Sequence, residues 1–179
     1  MENKVVFLEG EKIYLRPPEL TDVHQLTRWA NDGEMTKYLT LRYPMNSIVE
    51  ENWVKKQAEN QEIFTLMIVV KEEDLPIGVV SLHDIHPINR NAVLGIMIGE
   101  KDYWGNGYGS EAVKLVTGYA FNYLNLYKVS LTVYAFNKRA QKAYEKCGFK
   151  ANGVKPEDVF VDGKYYDVIL MSLLRKDFG

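Results

Sequence analysis

Residues Val93 to Gly109, VLGIMIGEKDYWGNGYG, join an apolar run of strand type to a short polar turn and three glycines at alternate positions. Gly105, Gly107 and Gly109 lack a Cβ, so the backbone can adopt positive φ and turn successive N–H groups toward one point. In the next stretch, SEAVKLVTGYAFNYL, the apolar residues Ala112, Val113, Val116, Tyr119, Ala120, Tyr123 and Leu124 follow the i, i+3, i+4, i+7 spacing of an amphipathic helix. A helix N-terminus carries orphan amides and about half a positive charge, which suits a pyrophosphate without a basic side chain. The order strand, glycine turn, helix therefore predicts an anion cradle, although a tight turn holding nothing has the same glycines. Two familiar cradles are excluded by spacing. A P-loop needs G-x-x-x-x-G-K-[ST], and no Lys followed by a hydroxyl comes after the last glycine. A dinucleotide fingerprint needs G-x-G-x-x-G inside a βαβ repeat, and this is G-x-G-x-G without one.

A second motif lies about thirty residues on, in KVSLTVYAFNKRAQKAYEKCGF. Val129, Leu131 and Val133 alternate with polar residues, as a strand requires. Asn137 stands at an N-cap position, and Ala140, Ala143, Tyr144 and Cys147 then share one helix face up to Gly148, a C′ residue. Tyr144 lies among small alanines, so its ring can rest on the sheet while its hydroxyl reaches a cleft. A core Tyr bonded to a backbone carbonyl would fit the same pattern.

On these two motifs the chain resembles the GCN5-related N-acetyltransferases, the GNAT superfamily, and in particular the branch of ribosomal-protein N-terminal alanine acetyltransferases and spermidine N-acetyltransferases. The family pattern [QR]-x-x-G-x-[GA] is matched by Trp104-Gly105-Asn106-Gly107-Tyr108-Gly109, with Trp104 in the Gln/Arg place. The pattern N-x-x-A-x-x-x-Y-x-x-x-G-F is matched in full by Asn137, Ala140, Tyr144, Gly148 and Phe149. The resemblance implies an α/β fold with one mixed, mostly antiparallel sheet of six to seven strands, splayed in the middle, and helices on both faces. It implies acetyl-CoA as acetyl donor, coenzyme A as product and a primary amine as acceptor. Backbone groups of Ile96, Met97 and Ile98 would bond the pantetheine arm, and residues 104 to 109 would hold the pyrophosphate. Asn137 would bond the cofactor or fix its helix end, Tyr144 would protonate the departing sulfur, and Lys142, with Lys138, Arg139 and Lys146, would face the 3′-phosphate. That basic cluster would equally serve as a solvated helix face.

Composition narrows the class. The 179 residues are 46% hydrophobic, with no repeat, linker or low-complexity run, so residues 1–179 are expected to form a single N-acetyltransferase domain. A net charge of −2 gives no basic footprint for nucleic acid. Cys147 is the only cysteine, and apolar runs such as FTLMIVV are too short for a membrane span or a signal h-region. A cytoplasmic protein with no membrane partner is expected, with a homodimer among the possible assemblies. His83-x-x-His86 lacks a third spaced ligand, so no metal site is expected. The element order reads as strand KIYLRP, helices TDVHQLTRWAND (capped by Thr21 or Asp22) and SIVEENWVKKQAENQ (capped by Asn46 or Ser47), then strands IFTLMIVVK, PIGVVSLHD and NAVLGIMIG. The cradle helix, strand SLTVY, the last helix and a hairpin turning at Val161-Asp162-Gly163-Lys164 complete it.

The general base is not evident. Relatives often carry Glu two residues before the position of Gly95, where this chain has Val93. His83 and Asp84, with His86 behind, or a chain of waters remain as candidates, and His24 on the first helix is expected to be exposed. An α-amine with a pKa of about 8 is neutral roughly 250 times more often at pH 7 than a lysine-like amine, a difference of about 3 kcal/mol. A site with a weak base therefore favours a protein or peptide N-terminus, or a small amine. The resemblance to spermidine acetyltransferases in LNLYK and in the cradle keeps a polyamine acceptor as the alternative, although Ser81 and Val93 stand where those enzymes present Glu. A CoA-binding module without catalysis is the rival from another class.

Overall fold

Eight strands make one sheet in the order β1-β2-β3-β4-β5-β6-β8-β7, in a computed structural model that describes residues 5–39, 41, 43–59 and 64–179. The strands are β1 (Leu8–Glu9), β2 (Ile13–Arg16), β3 (Phe64–Val70), β4 (Leu75–His86), β5 (Asn91–Ile98), β6 (Lys128–Tyr134), β7 (Lys150–Val161) and β8 (Lys164–Leu174). The helices are α1 (Val23–Ala30), α2 (Gly33–Thr36), α3 (Ser47–Glu59), α4 (Tyr108–Asn122) and α5 (Lys138–Lys146). Every strand pairing is antiparallel except β5 with β6, which is parallel. No helix among the described residues is long and apolar enough to cross a membrane.

The strands alternate their side chains between two cores, as the pleat requires. On one face α4 and α5 cover Ile13, Leu15, Leu66, Ile68, Val80, Leu82, Leu94 and Val129, with Val113, Val116 and Phe121 supplied by α4. On the other face α1 and α3 cover Tyr14, Met67 and Val69, adding Leu26, Trp29 and Val54, with Val79 and Met97 packed alongside. Gly99 admits the Trp29 indole, since a Cβ there would lie about 2.1 Å from its ring.

The sheet has eight strands rather than six or seven. The additional one is β1, two residues long and held by Leu8 opposite Leu15 and Glu9 opposite Tyr14. Such a strand carries no period of its own and exists only through its partner. The expected helix over 21–32 also divides: α1 ends at Ala30, and the Asp32 carboxylate starts α2 by accepting the N–H of Glu34 and Met35. Asp22 precedes α1, yet its side chain caps nothing there. It is buried and takes two hydrogen bonds from Arg16, at 2.7 and 2.8 Å, and one from Glu19 N–H. Asn46 caps α3, its Oδ1 accepting the Val49 N–H. Residues 60, 61 and 63, expected to end that helix and open β3, lie outside the described residues. Asp162 and Gly163 both have positive φ, 48° and 80°, as a two-residue hairpin turn of this twist requires.

Candidate active site

The sheet opens between β5 and β6. Their pairing is confined to Asn91 with Lys128, Ala92 with Val129 and Val93 with Ser130, after which the strands diverge. On the other side β5 stays paired with β4 as far as Ile98 opposite Gly78, and Gly99 N–H donates to Ile77 O at 2.7 Å. Ladder parity follows from that bond: residues 95, 97 and 99 turn their amides to β4, while Ile96 and Ile98 turn theirs into the gap. Met97, expected to offer backbone groups to a ligand, therefore spends them within the sheet. The Ile98 carbonyl is also engaged, because Trp104 Nε1–H donates to it at 2.7 Å. What faces the gap unbonded is the Ile96 N–H and C=O, together with the Ile98 N–H.

The glycine turn closes one end of this gap. Gly105 and Gly107 have φ of 80° and 89°, with open space where a Cβ would point, so conformation alone demands glycine at both. Gly109 differs from expectation: it lies in the first turn of α4 without positive φ, and a Cβ there would rest 3.5 Å from the Ile98 side chain. Gly107 is the N-cap of α4, and the first intrahelical bond runs from Glu111 N–H to Gly107 O. The N–H groups of Gly105, Asn106, Gly107, Tyr108, Gly109 and Ser110 consequently have no acceptor among the described residues. Six consecutive free amides beside a helix N-terminus fit a pyrophosphate. Asn106 ties the turn by donating to Asp102 O, and the Tyr108 ring lies between Lys12 and Tyr103.

Helix α5 forms the opposite bank. Asn137 caps it, Oδ1 accepting the Ala140 N–H at 3.1 Å, and its Nδ2 has no partner among the described residues. The C-terminus closes as a Schellman motif around Gly148, at φ 92°, with Gly148 N–H to Glu145 O and Phe149 N–H to Tyr144 O. Tyr144 packs on the core under α4 and α5, and no group among the described residues hydrogen-bonds its hydroxyl. Burial pushes that hydroxyl up to about 12, with a smaller contribution from Cys147. The basic cluster divides. Arg139 stacks on Trp104, its guanidinium carbon 3.7 Å from the ring centroid, and Lys138 meets Gln141. Lys142 and Lys146 are exposed.

On the α1 and α3 face, the row Thr65, Ser81, Gly95 crosses β3, β4 and β5, with His83 opposite Val93 in the next row. His86 is occupied in its own loop, where Nδ1 accepts the Asn89 N–H. Beyond this face a cavity of about 460 Å³ lies between α1 and α2 and the hairpin tip, lined by Asn31, Thr36, Lys37, Tyr43, Phe160 and Asp162 among others. Lys37 and Asp162 form an ion pair across it at 3.2 Å. No local pattern marks this cavity, since the hairpin tip that completes its walls lies more than a hundred residues from α1 and α2.

The model of the Acetyltransferase (GNAT) domain matches residues 12–150, which take in both banks of the gap. The chain belongs to the GNAT acetyltransferase family. It is an N-acetyltransferase that uses acetyl-CoA. A spermidine N(1)-acetyltransferase of Vibrio cholerae is 30% identical over 160 residues, covering 89% of this chain and 90% of that protein. A Bacillus subtilis protein with a provisional name as a ribosomal N-acetyltransferase is 30% identical over 101 residues, covering 56% of this chain and 55% of that one. The crystal structure of the Vibrio cholerae spermidine N-acetyltransferase with CoA and spermine superposes with a TM-score of 0.86 at 27% identity, covering 94% of this chain and 98% of that one. A dodecameric structure of the spermidine N-acetyltransferase from the same organism gives 0.80 at 27% identity, covering 93% and 96%.

Proposed function

We propose that this acetyltransferase acts on a protein or peptide N-terminus or a small primary amine, working as a single cytoplasmic domain over residues 1–179. The observation that carries the acceptor preference is the pair Ser81 and Gly95, with Val93 opposite His83 in the next row, which presents no carboxylate to a polycation. The nearby cavity has one acidic wall residue among those described, Asp162, and Lys37 neutralises it.

Bound acetyl-CoA supplies an activated acetyl carbonyl and a thiolate leaving group. The free amides from Gly105 to Ser110 hold the pyrophosphate, helped by the N-terminal end of α4. Backbone groups of Ile96 and the Ile98 N–H orient the pantetheine arm, and a free N–H at this point stabilises negative charge on the carbonyl oxygen, an effect worth about 3 kcal/mol in other acyl-transfer sites. Trp104 steadies the Ile98 carbonyl, Asn137 holds the start of α5 and offers Nδ2, and Lys142 faces the 3′-phosphate. Tyr144, protonated throughout the neutral range because burial raises it, gives its hydroxyl proton to the departing sulfur.

A polyamine acceptor is the second reading, and one residue favours it. Glu50 is buried on the α3 face that carries Val54, has no ion-pair partner among the described residues, and is pushed above the usual carboxylate range by burial. A cationic second amine would relieve it. The deciding experiment is acetyl transfer to a panel of N-terminal peptides, lysine peptides, spermidine and spermine. Faster turnover of α-amines supports the first reading, and faster turnover of spermidine or spermine replaces it with the second.

A further inference from the structure

We infer that His83 is the proton acceptor for the attacking amine, which rests on the acetyl-transfer reading of this site. Two features bring its imidazole to β5. The first is Gly95: a Cβ there would lie 2.8 Å from His83 Cε1, 3.0 Å from Nε2 and 3.1 Å from Ser81 Oγ, so the ring occupies the space that glycine leaves. The second is a β-bulge directly after His83, where the register with β5 shifts between His83 and His86 and Asp84 takes φ 50°. Bulges next to active sites commonly re-aim a side chain. The ring rests on the residue immediately before Ile96, whose backbone faces the gap.

The two sides of the sheet then divide the work. Tyr144 packs on the α4 and α5 face, whereas His83 shares the opposite face with Ser81, Val93 and Met97. An amine approaching from the α1 and α3 side meets His83 first, and a sulfur leaving toward α5 meets Tyr144. As the N–C bond to the acetyl carbonyl carbon forms, the unprotonated ring nitrogen takes the proton that the acceptor nitrogen must lose. The C–S bond breaks with its electron pair on sulfur, which takes the Tyr144 proton, and solvent restores both groups.

His83 is exposed and neither ring nitrogen has a hydrogen-bond partner among the described residues, so an amine can reach it. Across the strands it faces Ser81, Gly95 and Val93, none of them charged, and Asp84 follows it in the chain. Of the charged groups on the elements over this face, Asp22 is held by Arg16, Glu100 by Gln25, Arg28 and Trp29, and Glu51 by Lys55. Glu50 has no ion pair among the described residues, and His24 is exposed on α1. His86 is excluded by its bond from Asn89.

The test uses the full chain with saturating acetyl-CoA, alanine amide and spermidine as probe amines, from pH 5.5 to 9. His83→Gln should lower kcat/KM for the amine about 10²- to 10⁴-fold at pH 7. The acid limb of its pH profile should move away from the wild-type position to that of the amine. Added imidazole should restore activity to His83→Ala, and acetyl-CoA affinity by calorimetry should stay within about twofold. Gly95→Ala, which keeps the histidine but crowds the ring, should lose activity in the same way. In NMR spectra of the CoA-bound protein, the ring resonances that His83→Gln removes should shift when alanine amide is added. Wild-type rate and acid limb in His83→Gln, or ring resonances unmoved by an amine that turns over, would overturn the assignment of His83 alone. A wild-type protein that acetylates no amine would overturn the acetyl-transfer reading and this inference with it.

Discussion

The carbonyl of Tyr144 accepts the N–H of Phe149 at 3.0 Å while their rings pack 6.1 Å apart, so the residue proposed as acid is clamped by the motif that ends its helix. Gly148 makes the clamp possible through its φ of 92°. Tyr144→Phe should preserve both the bond and the ring contact and remove only the hydroxyl. Turnover should fall about tenfold to a thousandfold with little change in KM for acetyl-CoA, as happens when an interaction made mainly in the transition state is lost. Because burial pushes the hydroxyl up to about 12, the wild-type rate should show no basic limb from Tyr144 below pH 10. Steady-state kinetics of both proteins across pH check the two statements, and unchanged turnover with chemistry rate-limiting would remove Tyr144 from the mechanism.

Gly107→Asp should abolish cofactor binding. The substitution forces a branched acidic side chain onto a φ of 89° and sets a negative charge at the N-terminus of α4, among the free amides. Calorimetry with acetyl-CoA on a variant whose circular dichroism matches wild type is the measurement. Wild-type affinity would mean that the pyrophosphate sits elsewhere.

Local rules account for what could be read from the chain. Gly107, Asn137, Gly148 and the pair Asp162-Gly163 each answer a backbone demand that residue type alone reveals, and Asn137 and Gly148 bracket Tyr144. Strand β1 and helix α2 escaped because two and four residues carry no periodicity; pairing with β2 and the Asp32 cap create them. The uneven availability of Ile96, Met97 and Ile98 depends on ladder parity, and the engagement of Ile98 depends on an indole six residues away. The seat of His83 on Gly95 is a relation between strands. Sequence placed His83 among the candidates but could not separate it from His86, whose tie to Asn89 is a matter of loop conformation.

Glu50→Gln should stabilise the protein near neutral pH. Burial raises the folded-state carboxyl above its unfolded value near 4.5. Its contribution is therefore fully present below that unfolded value and is lost as pH rises through the folded one, because the unfolded chain then binds fewer protons than the folded chain. Removing the charge should raise Tm at pH 7 to 8, with the gap to wild type closing toward pH 4. Thermal melts over that range test it. A variant less stable than wild type at pH 8 would show that Glu50 has a favourable partner when ionised.

Val93 stands opposite His83 on the α1 and α3 face and beside the point where β5 and β6 part. A carboxylate here would accept protons from strongly basic amines and would also support a positive charge on His83. Val93→Glu should therefore raise activity toward lysine peptides and spermidine relative to N-terminal peptides, narrowing the advantage that a weaker base gives to α-amines. In the wild type, α-amines should outrun ε-amines of matched peptides near pH 7, and the difference should shrink as pH climbs toward 9 and more of the ε-amine becomes neutral. Rates for the same amine panel from pH 6 to 9, measured on both proteins, decide the matter. If Val93→Glu folds, binds acetyl-CoA and leaves the ratio of ε- to α-amine rates where it was, proton removal does not set acceptor choice, and the preference must come from the cavity walls at Lys37, Tyr43 and Phe160 instead.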